Sequence, residues 1–359
     1  MRPHPVLLAI AVTALLLPGC KKSGTESAAG DKPGGKVEWR VASSFSSTLP
    51  VLGAAGTRVA QRLEALSGGR IKLQVFEPGK LVAPSDVFDA VGKGTVDAGL
   101  SMPNAWFDRM PAVAFFGSPP FGADSVEYLA WLYQGQGLEL WRELYGNHNV
   151  VPVPCGYVPP EGSGWFRKPI TSADDFKGLK IHMFGLGGLV LQKLGAQVLV
   201  LSAEDIYPAL ERGVLDAAQV SIPSIDEKLG LAKVAKHYYF PGWQQQASVL
   251  TLLVNKDRWN ALAATDRELI DVVCRDTLVF NMTHGEVQQS QAIQDLKKQG
   301  VQVHYWSPQQ LQLFRNAYDS VVKEMRIKDA DFKRVDDAYQ KFRDSYAEWG
   351  QLSRLPSGF

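Results

Sequence analysis

"KIHMFGLGG", residues 180–188, is a short apolar run that stops at glycines. A strand ends this way when it feeds a tight loop and then a helix. The scheme recurs on both sides. Upstream, "KVEWRVASS" (36–44) alternates as a strand, and the next segment places Leu52, Ala55, Val59, Leu63 and Leu66 on one helical face. Gly68-Gly69 stops that helix, and Ile71, Leu73 and Val75 alternate as the following strand. "PSDVFDAVGKGTVDAGLS" (84–101) repeats helix, glycine stop and strand. Downstream come a helix ("GGLVLQKLGA"), a short strand, a helix ("SAEDIYPALERG") and a strand ("LDAAQVS"). Such alternation predicts an α/β protein with two sheets.

The C-terminal part reads as helical. Ser307-Pro308-Gln309-Gln310 combines a capping serine, proline at the first helical position and glutamine at the third. Leu311, Phe314, Tyr318, Val322 and Met325 follow at helical spacing, then Phe332, Val335, Tyr339, Phe342, Tyr346 and Trp349. These stripes predict helices lying across the outside of the lobes, with a coiled-coil partner site as the alternative.

A length of 359 residues suits two domains, and 45% hydrophobic content supports a sizeable core. The net charge is +1, from 38 basic and 37 acidic residues, which argues against a nucleic-acid partner. "VLLAIAVTALLLPGC" (6–20) is an apolar run of export-signal length ending at Cys20. Leu17-Pro18-Gly19-Cys20 resembles a bacterial lipobox, in which the cysteine is acylated; an ordinary secretory signal is the other reading. Residues 21–36 then read as a disordered tether. Cys155 and Cys274 either pair in an oxidising compartment or stay as buried thiols.

Catalytic patterns are missing. Gly185-Leu186-Gly187 would need a third glycine at Val190 to match a dinucleotide loop, and no Gly-Lys-Ser/Thr follows to make a phosphate loop. There is no Gly-x-Ser-x-Gly and no Cys-x-x-Cys, and the six histidines show no zinc-ligand spacing. The expectation is a protein that is not an enzyme.

Five longer blocks carry a resemblance: "LAWLYQGQGLELWRELY" (129–145), "GWFRKPITSADDFKGLKIH" (164–182), "GGLVLQKLGA" (187–196), "DIYPALERGVLDAAQ" (205–219) and "DEKLGLAKVAKHYYFPGW" (226–243). In this order they resemble the solute-binding proteins of tripartite ATP-independent periplasmic (TRAP) transporters, most of all the members that bind 2-oxo acids and lactate. The resemblance runs from about Val37 to the end of the chain. It implies a two-lobe periplasmic binding protein with a cleft between the lobes, strands crossing between them and a long C-terminal helical segment. The expected boundaries are a signal peptide at 1–20, the tether at 21–36, lobe I from 37–158 and 247–290, and lobe II from 159–246 and 291–359. The implied partners are a small organic solute, the membrane subunits of an ion-gradient-driven permease and, through Cys20, the membrane; the protein would be a monomer or homodimer on the periplasmic face. A lipid-anchored sensor using the same fold without transport is the alternative.

The resemblance also assigns the site and shows where this chain departs from its relatives. The family's carboxylate-gripping arginine is replaced by His182, which cannot offer a bidentate, permanently charged fork. Gln219-Val220 stands where relatives have a Glu-Trp pair that helps hold a cation, and Glu161 stands where they have glutamine. Glu161, Gln219 and Gln245 are therefore the expected ligands of a bound Na or Ca ion, or else direct hydrogen-bonding groups for the solute. Asn104 and Ala105 replace bulky tyrosines and should enlarge the pocket, while Trp106, Phe45, Phe184 and Trp243 are expected to form its aromatic walls. These departures point to a solute larger or less acidic than a small 2-oxo acid. Arg109 and Arg167 are the alternative anchors for an ordinary organic acid.

Overall fold

The computed structural model describes residues 34–355; the signal segment, Cys20 and most of the tether lie outside them. The alternating run after Lys36 forms β1 (Val37–Ser43), followed by a helix at Leu52–Leu66. That helix buries Leu52, Ala55, Val59 and Leu63, whereas Leu66, its last residue, is half exposed. Gly68 and Gly69 turn the chain at φ +63° and +80°, a region open to glycine at no steric cost. Then come β2 (Ile71–Phe76), β3 (Ala98–Ser101) and β4 (Val150–Val158).

β5 (Gly164–Phe166), β6 (Lys180–His182), β7 (Gln197–Leu199), β8 (Ala217–Ala218) and β9 (His237–Phe240) belong to a second sheet. β10 (Ser248–Asn255) returns to the first, and β11 (Gln302–Tyr305) closes the second. The strand orders are β2-β1-β3-β10-β4 and β11-β9-β5-β8-β6-β7. β10 runs antiparallel between β3 and β4, and β5 antiparallel between β8 and β9. Each antiparallel strand is the first one the chain makes after crossing from the other sheet, so the two sheets are joined by reciprocal crossings.

A helix at Ala264–Lys298 spans both halves. Ile270, Val273 and Cys274 sit in the apolar core of the first sheet, and Leu296 in that of the second. Asn281, buried within it, donates to the Val51 carbonyl at 3.2 Å. Cys274 is disulfide-bonded to Cys155 on β4, with Cα atoms 4.1 Å apart. The open question about these two thiols thus resolves to a pair.

Ser307 caps the helix Pro308–Lys328: its Oγ accepts from the Gln310 N–H at 3.2 Å, and the Gln310 side chain accepts from the Ser307 N–H at 2.9 Å. Phe314 of this helix packs on Phe176 and Trp243, and Lys193 pairs with Glu324. The last helix, Ala330–Leu352, packs elsewhere. Phe332 lies 4.9 Å from Phe115 and Tyr339 4.9 Å from Trp131, while Tyr339 Oη accepts from the Ala123 N–H at 2.7 Å. Residues 330–352 therefore lie on lobe I elements, which corrects the expectation that 291–359 belongs wholly to lobe II. Periodicity shows that a helical face is buried, not against what. Trp349, at the end of that stripe, is exposed.

Candidate functional site

A cleft of about 360 Å³ opens where the two sheets face each other. Its walls come from chain segments just beyond strand ends: Phe45 after β1, Met102 to Trp106 after β3, and His182 and Phe184 at the end of β6. Its size falls near the lower end of small-molecule sites, roughly 300–1,000 Å³. A second space of about 30 Å³ adjoins it, lined by Asn104, Ser118, Glu161, Gln219, Gln244 and Gln245 among others. Asn104, Glu161, Phe184 and Gln245 border both.

The opening stretch forms the expected strand, turn and helix. β6 delivers His182, Gly185 takes φ +64°, and the helix Gly185–Lys193 follows. His182 is buried, and its Nδ1 accepts from the Leu201 N–H at 3.1 Å. The proton of the neutral ring therefore sits on Nε2, which makes that nitrogen a donor. Burial pushes the imidazole down to about 4. At neutral pH this position carries no charge, unlike an arginine.

Glu161 is buried between the two spaces and accepts from Gln219 Nε2 at 2.6 Å. Burial first, and then the buried Asp226, push its carboxyl up to about 8; nearby glutamine amides oppose the shift to a smaller degree. Asp226 lies one layer deeper, where its Oδ2 accepts from Trp165 Nε1 and Tyr238 Oη, both at 2.8 Å. Burial pushes it up to about 7.

Asn104, in the turn Pro103–Trp106, uses both amide hydrogens. One goes to the Gly117 carbonyl at 3.3 Å and the other to Gln245 Oε1 at 3.2 Å. Its own Oδ1, Ser118 Oγ and Gln245 Nε2 are buried without partners, as is the Trp106 indole N–H on the side of the larger space. Unpaired buried polar atoms cost about 1–3 kcal/mol each, so a wall that holds several is prepared for a polar guest.

Eight of the nine expected ligand residues border one or both spaces. Trp243 borders neither. It stacks on Phe314 at 4.7 Å and Phe121 at 5.7 Å inside an apolar core shared by residues of both lobes, where an apolar ring gains more from packing than from facing the cleft. Arg109 and Arg167 also border neither; Arg109 pairs with Asp89 at 2.8 Å on the surface. Residues not foreseen include Val200, Leu201 and Ile206, which give the larger space an apolar wall, and Ser118 and Gln244 at the smaller one. The apolar run "VLVL" (198–201), which outlasts the three-residue β7, was the available signal for the first two.

The model for bacterial extracellular solute-binding proteins of family 7 (DctP) matches residues 41–329. The chain belongs to that family. A monocarboxylate 2-oxoacid-binding periplasmic protein of Nostoc sp. is 35% identical over 347 residues, 97% of this chain and 94% of the relative. A TRAP transporter solute-binding protein of Bordetella bronchiseptica, described with calcium and picolinate, superposes with a TM-score of 0.85 at 31% identity, covering 89% of this chain and 95% of that one. One from Pseudoalteromonas atlantica, with sodium and pyruvate, gives 0.84 at 28%, covering 88% and 97%. The family 7 receptor is thus a TRAP solute-binding protein: it takes a small organic solute in the cleft and hands it to a TRAP permease. Its family is periplasmic, and among the described residues no helix is long and apolar enough to cross a membrane.

Proposed function

We propose that this receptor binds a weakly acidic organic solute with a substantial apolar part, larger or less acidic than a small 2-oxo acid. One observation carries the reading: among the described residues no lysine or arginine borders the cleft, and its two buried titratable groups, His182 and Glu161, are held uncharged at neutral pH. Burying an unpaired carboxylate there would be costly. Asp108 at the rim adds a further carboxylate that disfavours multiply charged anions. Phe45, Met102, Val200, Leu201 and Ile206 offer apolar contact, while His182 Nε2–H and the protonated Glu161 serve as donors.

The cation-bearing relatives favour a second reading, in which an organic acid is held together with a cation. The donor chemistry fits: the Glu161 carboxylate and the unpartnered oxygens of Asn104 and Ser118 surround the 30 Å³ space, a hard-oxygen set of the kind sodium and calcium take. Gln219 and Gln245 would have to turn, since Gln219 presents its N–H to Glu161 and the Gln245 oxygen is engaged by Asn104. Bound there, a cation would supply the positive charge that the cleft lacks. Proton and cation are alternatives at Glu161.

In either case the protein transforms nothing. Solute contacts made on both lobes favour a closed state that the permease recognises. We also propose anchoring through acylated Cys20, testable by palmitate labelling of the chain and of Cys20→Ser. Native mass spectrometry of the gently purified chain tests the solute class: a heavier organic adduct without metal is expected. An adduct of pyruvate mass with calcium or sodium would overturn the first reading in favour of the second.

A further inference from the structure

The loop 117–123, between the turn Pro111–Phe115 and the helix Ser125–Gln134, brings Ser118, Pro119 and Pro120 to the small polar space. Two of its residues take a left-handed backbone without being glycine, Ser118 at φ +65° and Phe121 at φ +54°. A Cβ is crowded in that region, so such a conformation persists only where the surroundings over-determine it. Gly117 and Gly122 leave no room for a side chain: a Cβ would stand 2.2 Å from Asn104 Oδ1 at the first and 2.6 Å from the Pro119 carbonyl oxygen at the second.

The loop is held from two directions. From the last helix, Arg343 Nη1 donates to the Phe121 carbonyl at 2.9 Å, and Tyr339 Oη accepts from the Ala123 N–H at 2.7 Å. Arg343 is itself fixed by the largely buried Glu127, to which its Nε donates at 3.1 Å. A guanidinium can serve both partners at once because its donors form a rigid fork. From the other side, the Phe121 N–H donates to the Trp243 carbonyl at 2.8 Å. Trp243 belongs to the segment 241–247, which crosses from β9 to β10 and carries Gln244 and Gln245 to the same small space. Arg343 borders neither space, yet a single residue, Phe121, separates it from that segment.

We infer, on the reading that the solute's polar group lies at this end of the cleft, that Arg343 is a positioning residue for the solute site. Through the Phe121 peptide unit it holds the loop 117–123, and with it the crossing segment 241–247, in the arrangement that shapes the polar end. The bond from a charged donor to the Phe121 carbonyl is stronger than a neutral one, which suits it to keep a left-handed residue in place.

The intact chain is followed by hydrogen–deuterium exchange without added solute, and by calorimetry with 4-methyl-2-oxopentanoate, a monocarboxylate with an apolar tail. In Arg343→Leu the amides of 117–123 and 241–247 should exchange about tenfold faster, with those of β2 unchanged. The probe should bind about fivefold more weakly. Arg343→Lys keeps a charged donor for Phe121 and should recover part of both. If Arg343→Leu fails to fold, Tyr339→Phe, which removes the acceptor for the Ala123 N–H and keeps the ring, decides by the same two readings. If the probe fails to bind wild type, the proposed solute class is wrong, and exchange at 241–247 still judges Arg343. Faster exchange confined to the last helix, wild-type exchange at 117–123 and 241–247, or faster exchange there with unchanged affinity would overturn the assignment.

Discussion

Replacing Glu161 by glutamine removes a titrating group from the cleft while keeping its shape and its contact with Gln219. In the unfolded chain the carboxyl ionises near its usual 4.5; in the folded protein it keeps its proton until about pH 8. Across that window the unfolded state binds fewer protons than the native one, so stability falls as pH rises. The contribution is fully present below about pH 4.5 and is spent near pH 8. At about 1.4 kcal/mol per unit, the loss between pH 5 and pH 8 is about 3 kcal/mol. Asp226, pushed the same way to about 7, adds a loss of the same sign; it is present in both proteins, so its own contribution cancels and only its coupling to Glu161 stays in the comparison. The assay is urea unfolding of wild type and Glu161→Gln at the two pH values, in potassium buffer with chelator so that no sodium or calcium competes for the carboxyl. Wild type should lose about 3 kcal/mol more than the variant. Parallel pH dependence would refute the reasoning, because it would mean that Glu161 is already ionised in the folded cleft.

Two further outcomes follow from the same geometry. His182→Arg introduces the charged fork that the resemblance implied at this position, and hydrogen bonds to charged groups contribute roughly 1.5–3 kcal/mol; affinity for pyruvate by calorimetry should rise about tenfold or more, and no gain would show that the acid anchor lies elsewhere. The Cys155–Cys274 bridge spans 119 residues, so a Cys155→Ala/Cys274→Ala protein should lose about 4 kcal/mol in urea unfolding. A loss under about 1 kcal/mol would show that the bridge constrains the unfolded chain little.

Much of the fold was legible because it is local. β1, the helix after it, the double-glycine stop and the Ser307 cap depend on residues a few positions apart, and those are where the chain follows its pattern. Of the candidate site, the positions were expected through resemblance, and eight of the nine residues expected there border one or both spaces. Trp243 was not, since an aromatic after a strand can face either a cleft or a core, and only the arrival of Phe314 from the helix Pro308–Lys328 decides which. Ile206 was missed because an apolar residue that lines a cleft carries the same signal as one that lines a core.

From the sequence alone came the alternation of strands and helices, the helix stops and the missing catalytic patterns; that His182 stands in place of an arginine is what the family resemblance implied. All are statements about residue type and spacing along the chain. Only the tertiary structure decided that Cys155 and Cys274 pair, which elements the last helix packs on, and the surroundings that set the proton states of His182 and Glu161. Those depend on burial and on partners far away in sequence: Leu201 for His182, and Gln219 and Asp226 for Glu161. A carboxyl holds its proton at neutral pH because folding takes water away from it, and no pattern along the chain records how much water is left.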